Sequence, residues 1–490
     1  MMKRILKNGA FFLYFFVLTL IIFGVKWAFS RFAFINFDEV LFQLTSSIST
    51  SESSVLSSLF IDCILPAFIS ALFLFIFFTI TLAFLNNNDK VRKIRTKKIK
   101  NIMKVCLGIC LLVVICYALT KITFWDYLKS ISTKSNYIEN NYVNPKNVKL
   151  SFPEKKRNLI IIYVESFESS FFSTELGGAA PENWIEPLQE LTEDNTNFSD
   201  NEKFGGAKSV PGTTWTSGAL VAQSSGLPLK VRNPLSLKKV EKGMIPNAYT
   251  LTDILNAEGY NQEFMIGSSK VFGQRGDYYE NHGNVFVYDY DTAKEKKKIA
   301  KDYYEWWGFE DSKLFSFAKD EITNLSLKEE PFNFMLLTAN SHTLDGYLEK
   351  ECKEKFSNDY ANSLYCTSLQ IAQFVDWLEK QPFYDNTTIV IAGDHISMQP
   401  NLLENDSPRR VYNLYINEPL TAKSIKNREF STMDLFPTTL ASIGVEIEGE
   451  RLGLGTNLYS DKKTLMEEIG YKEFIKQTYK NSSYYWEEFY

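Results

Sequence analysis

Three long apolar runs lie within residues 1–124, and they constrain this chain more than any other feature. They cover about residues 11–29, 59–85 and 102–119. About 20 apolar residues suffice to cross a bilayer as a helix. Three such runs in series favour transmembrane helices over buried core helices, and the first is longer than a signal-peptide core. We therefore expect a membrane domain, a polar connector over 125–156 and a folded domain over 157–490.

Basic residues predict the orientation of these helices. Lys3, Arg4 and Lys7 precede the first run, and seven more basic residues lie between the second and third: Lys90, Arg92, Lys93, Arg95, Lys97, Lys98 and Lys100. Segments rich in Lys and Arg stay in the cytoplasm. The link TSSISTSESS and everything after the third run are then expected outside. There, Cys352 and Cys366 are candidates for a disulfide, and the net charge of -5 argues against nucleic-acid binding.

Short apolar runs rich in Ile, Val and Phe recur in the rest of the chain. They occupy residues 159–164, 332–338 and 388–393, and helix-like stretches such as 250–258 and 362–381 lie between them. Continuous apolar strands that alternate with helices are typical of an α/β fold with a mostly parallel central sheet flanked by helices. In such sheets, ligands bind beyond the carboxyl ends of the strands.

Chemically active residues follow each of the three predicted strands. Glu165 follows the first, His342 lies shortly after the second, and Asp394 and His395 follow the third. Glu165, Asp394 and His395 make up a ligand set that suits a borderline divalent metal such as zinc or manganese. Alone, each fits a helix-start acid or a polar turn, but their joint placement favours a metal site.

The stretch PGTTWTSG, residues 211–218, leads from a loop into the apolar segment ALVAQ. A Thr or Ser at this position is usually a helix N-cap. A helix N-terminus also attracts phosphate, and a Thr oxygen on a metal there is an activated nucleophile. The residues alone leave both interpretations open.

Five segments resemble a known family when they are taken in order: ESF, GTTWTSGALVAQSSGLPL, SHTLDGY, AGDH and DLFPTTLASIG. They are similar to the phosphoglycerol transferases, which include lipoteichoic acid synthases and the osmoregulated-glucan enzymes, with the glucan branch the more similar. The resemblance covers about residues 155–460. It implies a sulfatase-like domain of the alkaline phosphatase superfamily, held outside a bacterial cytoplasmic (inner) membrane by several transmembrane helices.

The resemblance also implies roles for the matched residues. Glu165, Asp394 and His395 would bind one divalent ion, Mn²⁺ or Mg²⁺. Thr216 would complete the metal shell and form a covalent phosphoglycerol intermediate, with Thr214 as the fallback. His342 would contact the substrate phosphate or protonate the leaving group.

Further positions match less closely. Arg275, in VFGQRGDYY, would hold the glycerol phosphate, although it also fits a surface arginine. Trp215 fits either a wall of the substrate pocket or a packed core aromatic. His282 is interpreted as structural, and Ser341 stands where many relatives carry a second histidine.

The expected activity is transfer of glycerol phosphate from phosphatidylglycerol, at the lipid bilayer, to an exported glycan or glycerolipid acceptor. The alternative is phosphoethanolamine transfer to a lipid or glycan, although such relatives usually carry more exported cysteines and more spans. A sulfatase is disfavoured because the chain has no Cys-x-Pro-x-Arg motif. An inactive membrane scaffold would have no need for the combination of Glu165, Thr216, Asp394 and His395.

Overall fold

The computed structural model describes residues 2–45, 57–86, 90–231, 243–404 and 408–490. The link TSSISTSESS, expected outside the membrane, lies beyond the described residues apart from its first threonine. The side chains of the basic residues at positions 3–7 and 90–97, which carry the orientation prediction, lie beyond them too. The chain divides into two units, one of Met1–Val40 and Ser51–Leu128, the other of Leu41–Thr50 and Lys129–Tyr490.

The N-terminal part of the chain is helical. Three stretches are long and apolar enough to cross a membrane, Gly9–Arg31, Leu59–Phe84 and Asn101–Lys121, which confirms the predicted apolar helices. The helices are α1 Met2–Arg31, α2 Phe37–Thr45, α3 Leu65–Asn86 after a π-helical turn at Leu59–Ile64, α4 Lys90–Lys121 and α5 Phe124–Ser132.

Polar side chains join these apolar helices. The Thr19 hydroxyl of α1 donates to the Ala67 carbonyl of α3 at 2.8 Å, and the Tyr14 hydroxyl donates to the Leu107 carbonyl of α4 at 2.5 Å. A polar group in hydrocarbon needs a protein partner because no water is available there. Both hydroxyls meet this requirement.

The second unit contains a six-stranded sheet in the order β3-β2-β4-β1-β5-β6. The first five strands of that order run parallel, and β6 is antiparallel to β5. The strands are β1 Asn158–Val164, β2 Asn261–Ile266, β3 Phe286–Tyr288, β4 Phe332–Leu337, β5 Thr387–Gly393 and β6 Asn413–Ile416. This confirms the predicted fold class.

Both faces of this sheet are buried, which explains the continuous apolar runs in the sequence. Successive side chains of a strand point to opposite faces. In β1, Ile160 and Ile162 belong to one core cluster, whereas Leu159 and Ile161 belong to the other. Because each face is covered, neither set of positions is polar.

Helices from the rest of the chain supply the covering layers. Side chains of α12 and α13 belong to the core cluster on one face, and side chains of α8 and α14 belong to the cluster on the other. The helices after α5 are α6 Tyr137–Asn141, α7 Gln189–Asp194, α8 Thr216–Ser225, α9 Leu251–Ala257, α10 Arg275–Asn281, α11 Tyr290–Glu295, α12 Asp311–Ser326, α13 Asp359–Glu379, α14 Leu435–Ser442, α15 Leu465–Ile469, α16 Tyr471–Tyr479 and α17 Ser483–Phe489.

The predicted connector includes regular structure. Its strand Leu150–Ser151 pairs antiparallel with Glu446–Ile447, and its residue Ile138 is buried. The predicted disulfide between Cys352 and Cys366 is present. The domain limits proposed from composition stay predictions.

Candidate active site

Glu165, Asp394 and His395 meet at the carboxyl edge of the sheet. Val164, the last residue of β1, pairs with Gly393, the last residue of β5, so the residues that follow each strand are neighbours. One ligand atom from each of the three side chains lies within 4.8 Å of the others, and all three side chains are buried. The His395 Nε2 atom lies 3.5 Å from the Glu165 Oε1 atom and 3.4 Å from the Asp394 Oδ2 atom. The structure thus gathers the ligand set singled out by the sequence.

The hydrogen bonds of this cluster leave ligand atoms available for a cation. The Asp394 Oδ1 atom accepts the Ser166 and His395 backbone N–H groups, each at 2.7 Å. Its Oδ2 atom is buried and has no hydrogen-bond partner within the described part of the chain. The His395 Nδ1 atom lies 2.8 Å from the Ile396 carbonyl, so Nδ1–H donates there and Nε2 keeps its lone pair. Such a donor set fits a divalent cation.

The two carboxylates affect each other's ionisation. Burial and the nearby Glu165 charge raise the pKa of Asp394 to about 8. Burial also opposes ionisation of Glu165, but the nearby His342 and His395 imidazoles and the Ser166 hydroxyl, which donates to the Glu165 carboxylate, together hold the Glu165 pKa below its ordinary value. Two buried carboxylates this close disfavour a second negative charge, and a bound cation reverses that preference.

Thr216 is the first residue of α8, and its hydroxyl contacts the cluster. The N-cap is Trp215, with no side-chain capping bond, so the interpretation of PGTTWTSG as a hydroxyl-capped helix start is wrong. The Thr216 Oγ1 atom instead donates to the Glu165 Oε2 atom at 3.2 Å. Thr216 is half-buried, whereas the fallback Thr214 is buried. The hydroxyl of Thr216 therefore has both access and a carboxylate partner.

Two side chains for which the sequence predicted no role, Gln223 and Ser341, donate hydrogen bonds to the backbone of this cluster. The Gln223 Nε2 atom of α8 donates to the Gly393 carbonyl at 2.9 Å and to the Asp394 carbonyl at 3.2 Å. The Ser341 hydroxyl donates to the Glu165 carbonyl at 2.5 Å. A lone glutamine in the apolar segment ALVAQ was the available signal for the first contact.

A narrow cavity lies beside Thr216. Among its lining residues are Glu165, Thr216, Phe272, Arg275, Trp307 and His342. Phe272 and Trp307 were not predicted from the sequence. The signal available for Trp307 was a pair of tryptophans before a glycine in the polar stretch EWWGFED.

Arg275 is only 6% exposed, so its interpretation as a surface arginine is wrong. Its Nε atom donates to the Phe272 carbonyl and its Nη2 atom donates to the Ser268 hydroxyl, both at 2.9 Å. Burial lowers the pKa of Arg275 to about 10. Both acceptors are neutral, so the guanidinium suits a further, anionic partner.

His342 lines the same cavity. Its Nδ1 atom lies 2.6 Å from the Thr343 carbonyl, and its ring meets the Trp307 ring edge-on with centroids 4.7 Å apart. The backbone contact favours the tautomer with a proton on Nδ1 and leaves Nε2 for proton exchange.

Trp215 and His282 lie elsewhere. Trp215 is buried in the core cluster that covers one face of the sheet, and it is not one of the residues lining the cavity. Its contact with substrate stays a prediction. His282 is buried with its Nδ1 atom 3.0 Å from the Asp253 carboxylate, which agrees with a structural role.

The fold and this edge define a class, the α/β proteins that gather carboxylates, an imidazole and a hydroxyl beyond the ends of parallel strands. The family model described as Sulfatase matches residues 157–445, which is more than half of the chain. The chain belongs to this family.

Known proteins of related sequence are phosphoglycerol transferases. The phosphoglycerol transferase I of Escherichia coli is 28% identical over 256 residues, which is 51% of this chain and 32% of that protein. The chain thus spans about a third of the length of these curated relatives.

Solved structures share the fold. The lipoteichoic acid synthase LtaP from Listeria monocytogenes aligns with a TM-score of 0.50 and 15% identity, over 66% of this chain and 81% of that one. The lipooligosaccharide phosphoethanolamine transferase A (EptA) from Neisseria meningitidis aligns with a TM-score of 0.51 and 14% identity, over 88% and 83%. The family model, the related sequences and the shared fold together confirm the expected resemblance to the phosphoglycerol transferases.

Proposed function

We propose that the protein is a membrane-anchored, metal-dependent transferase that moves glycerol phosphate from phosphatidylglycerol to an exported glycan or glycerolipid. The observation that carries this proposal is the 3.2 Å contact between the Thr216 Oγ1 atom and the Glu165 Oε2 atom, inside the buried ligand set. Phosphoryl transfer depends on positioning and charge neutralisation more than on other covalent chemistry. The similarity to phosphoglycerol transferase I supports the choice of glycerol phosphate as the transferred group.

Glu165, Asp394, His395 and Thr216 would hold one divalent ion, Mn²⁺ or Mg²⁺. Such an ion, when bound, neutralises phosphate charge and lowers the pKa of a coordinating hydroxyl. The Asp394 Oδ2 atom, which has no hydrogen-bond partner among the described residues, supports this assignment.

The proposed reaction has two chemical steps, and side chains of this protein have a role in each. In the first, the Thr216 Oγ1 atom attacks the donor phosphorus and its proton passes toward Glu165, while the bond to the diacylglycerol oxygen breaks. His342 protonates that oxygen, and Arg275 holds the phosphate. In the second, the acceptor hydroxyl gives its proton to His342 and attacks the phosphorus, the bond from phosphorus to the Thr216 Oγ1 atom breaks, and Glu165 returns its proton to that oxygen.

The proposed location is a bacterial cytoplasmic membrane that the chain crosses several times, with residues 157–490 outside. Three apolar helices and the basic residues that flank them support this topology. The donor would then reach the cavity from the outer leaflet.

Phosphoethanolamine transfer is the second candidate. The fold similarity to EptA extends over 88% of the chain, including more than the sulfatase-like part. The two candidates differ in the donor headgroup, so one assay separates them.

The test uses the full chain, purified in detergent, with Mn²⁺ and phosphatidylglycerol labelled in its headgroup. We expect labelled protein and released diacylglycerol, and neither product with the T216A variant. Activity on phosphatidylethanolamine alone would replace the proposal with the second candidate. A protein that binds no metal and labels with neither donor would point to a scaffold.

A further inference from the structure

A tight turn at Glu305–Gly308 holds two adjacent tryptophans. The backbone N–H and C=O groups of Glu305 and Gly308 bond each other in both directions at 2.9 Å. Trp306 has a positive φ of 54°, and a Cβ atom on Gly308 would lie 2.2 Å from the Gly267 carbonyl oxygen. The turn therefore packs directly against Gly267, a residue that lines the cavity. Its backbone fixes where the two indoles lie.

The two indoles have different surroundings. The Trp306 N–H donates to the Ala339 carbonyl at 2.8 Å, and its ring stacks on Tyr347. Trp307 lines the cavity, with its ring 5.3 Å from that of Phe272 and 4.7 Å from that of His342. The Trp307 Nε1 atom is buried and has no hydrogen-bond partner in the part of the chain that the structure describes. A buried N–H without an acceptor costs free energy that a ligand oxygen would recover.

The Trp307 indole N–H distinguishes a glycerol headgroup from an ethanolamine headgroup. An indole N–H only donates, so it needs a lone pair on its partner. Glycerol hydroxyls offer lone pairs, whereas the ammonium group of ethanolamine has none. The Arg275 guanidinium lies 5.1 Å from the centre of the Phe272 ring, where it occupies one aromatic face and adds positive charge. That charge disfavours an ethanolamine ammonium group beside Phe272.

We infer that Trp307 is a specificity-determining residue, whose indole N–H binds a hydroxyl of the glycerol headgroup and so favours glycerol phosphate over ethanolamine phosphate. This inference rests on the proposed function. Arg275 and His342 hold the phosphate part of the headgroup, while Trp307 and Phe272 contact the glycerol part.

The experiment compares wild type with W307F, which keeps an aromatic ring and loses the N–H. Full-length proteins in detergent micelles with Mn²⁺ are assayed for diacylglycerol release from phosphatidylglycerol and from phosphatidylethanolamine. The matched control is W377F, because Trp377 lies on α13 and stacks on Phe374, away from the cavity lining. We expect W307F to raise the KM for phosphatidylglycerol about tenfold, the size of one hydrogen bond, with kcat within about twofold. Activity on phosphatidylethanolamine should not change.

The outcomes separate the inference from the proposed function. An unchanged KM for phosphatidylglycerol in W307F, or an equal loss on both donors, overturns the inference and leaves the proposed function standing. If wild type acts on neither donor, the proposed function fails, and direct calorimetric binding of glycerol 1-phosphate decides the inference. About tenfold weaker binding by W307F than by wild type and W377F supports it. Equal binding, or none by wild type, overturns it.

Discussion

Two buried acidic clusters lie near the same edge of the sheet, and their hydrogen bonding differs. In the cluster of Asp311 and Glu349, backbone and side-chain N–H groups donate to the carboxylates. The Asp311 Oδ1 and Oδ2 atoms accept the Ala339 and Asn340 N–H groups at 2.8 and 3.0 Å. The Glu349 Oε1 atom accepts the Asn340 side-chain amide at 2.7 Å and the Ser312 N–H at 2.9 Å. In the cluster of Glu165, Asp394 and His395, the Asp394 Oδ2 atom has no such donor among the residues that the structure describes.

The difference separates carboxylates that hydrogen bonds within the chain stabilise from the carboxylate that we propose as a metal ligand. Burial raises the pKa of Asp311 to about 7, and its two N–H bonds oppose that rise. It therefore gains stabilisation from the chain itself. Asp394 has donors for one oxygen only, so its second oxygen needs a proton or a cation.

The largest effect should come from Thr216, the hydroxyl beside the second of these clusters. We expect T216A to lower transferase activity at least about a thousandfold, since removal of a nucleophile abolishes the covalent route. Circular dichroism should show an unchanged fold. T214A is the matched control and should retain activity. Full activity in T216A would remove this residue from the mechanism.

The next largest effect concerns the Asp394 carboxylate. D394N should weaken Mn²⁺ binding at least about a hundredfold, because it replaces a charged ligand atom. Wild type should gain about 2.7 kcal/mol of stability at a metal concentration of about 100 times its Kd, and D394N almost none. Thermal unfolding with and without Mn²⁺ measures this. A full metal-induced gain in D394N would contradict the assignment of Asp394 as a ligand.

D311N should lower the stability of the protein and leave its response to Mn²⁺ intact. An Asn side chain has one acceptor oxygen, so one of the two backbone N–H groups loses its partner and faces another donor. We expect a loss of about 2–3 kcal/mol in the free energy of unfolding. The Mn²⁺-induced gain should remain, measured by chemical denaturation with and without metal. If D311N removed the metal response instead, the two clusters would not be separate.

The smallest effect involves Glu263, a buried carboxylate outside both clusters. Its Oε1 atom lacks a hydrogen-bond partner among the described residues, and burial together with the Glu321 charge raises its pKa from 4.5 to about 8. The stability from protonated Glu263 is complete below pH 4.5 and is lost as pH rises through 8.

E263Q stays neutral, so it should lack this loss. Between about pH 6 and pH 7.5, wild type should lose about 2 kcal/mol relative to E263Q. Urea unfolding at several pH values measures the difference. A constant difference across this range would mean that Glu263 is ionised in the native protein.

Much of the fold was predictable because burial on both faces leaves a simple pattern. The strands β1, β4 and β5 are continuous apolar runs, and each was predicted within a residue of its ends. The strands β2, β3 and β6 were missed. The sequence of β2, NQEFMI, carries three polar residues, β3 has three residues and β6 has four, so no periodic signal exists.

The candidate site also contains residues that the sequence predicts and residues that it does not. Glu165, Asp394 and His395 directly follow predicted strands, so their convergence follows from parallel pairing. Phe272 begins a short 3₁₀ helix, and Trp307 lies in a turn. Trp307 reaches the cavity because of a turn with positive φ at Trp306 and a close approach of Gly308 to Gly267, which are tertiary features. No local pattern encodes such contacts.

The disulfide described above has a consequence for how this protein is handled. It joins Cys352 to Cys366 across 14 residues, and the Cys352 N–H donates to the Glu349 carbonyl at 3.0 Å. A disulfide that closes a loop of this size lowers the entropy of the unfolded chain and so stabilises the folded protein by about 3 kcal/mol. The Glu349 carboxylate in turn accepts a hydrogen bond from the Asn340 side chain, and Asn340 lies two residues before His342. Purification buffers containing thiol reductants therefore loosen the support of a cavity residue, and expression in a reducing cytosol has the same effect.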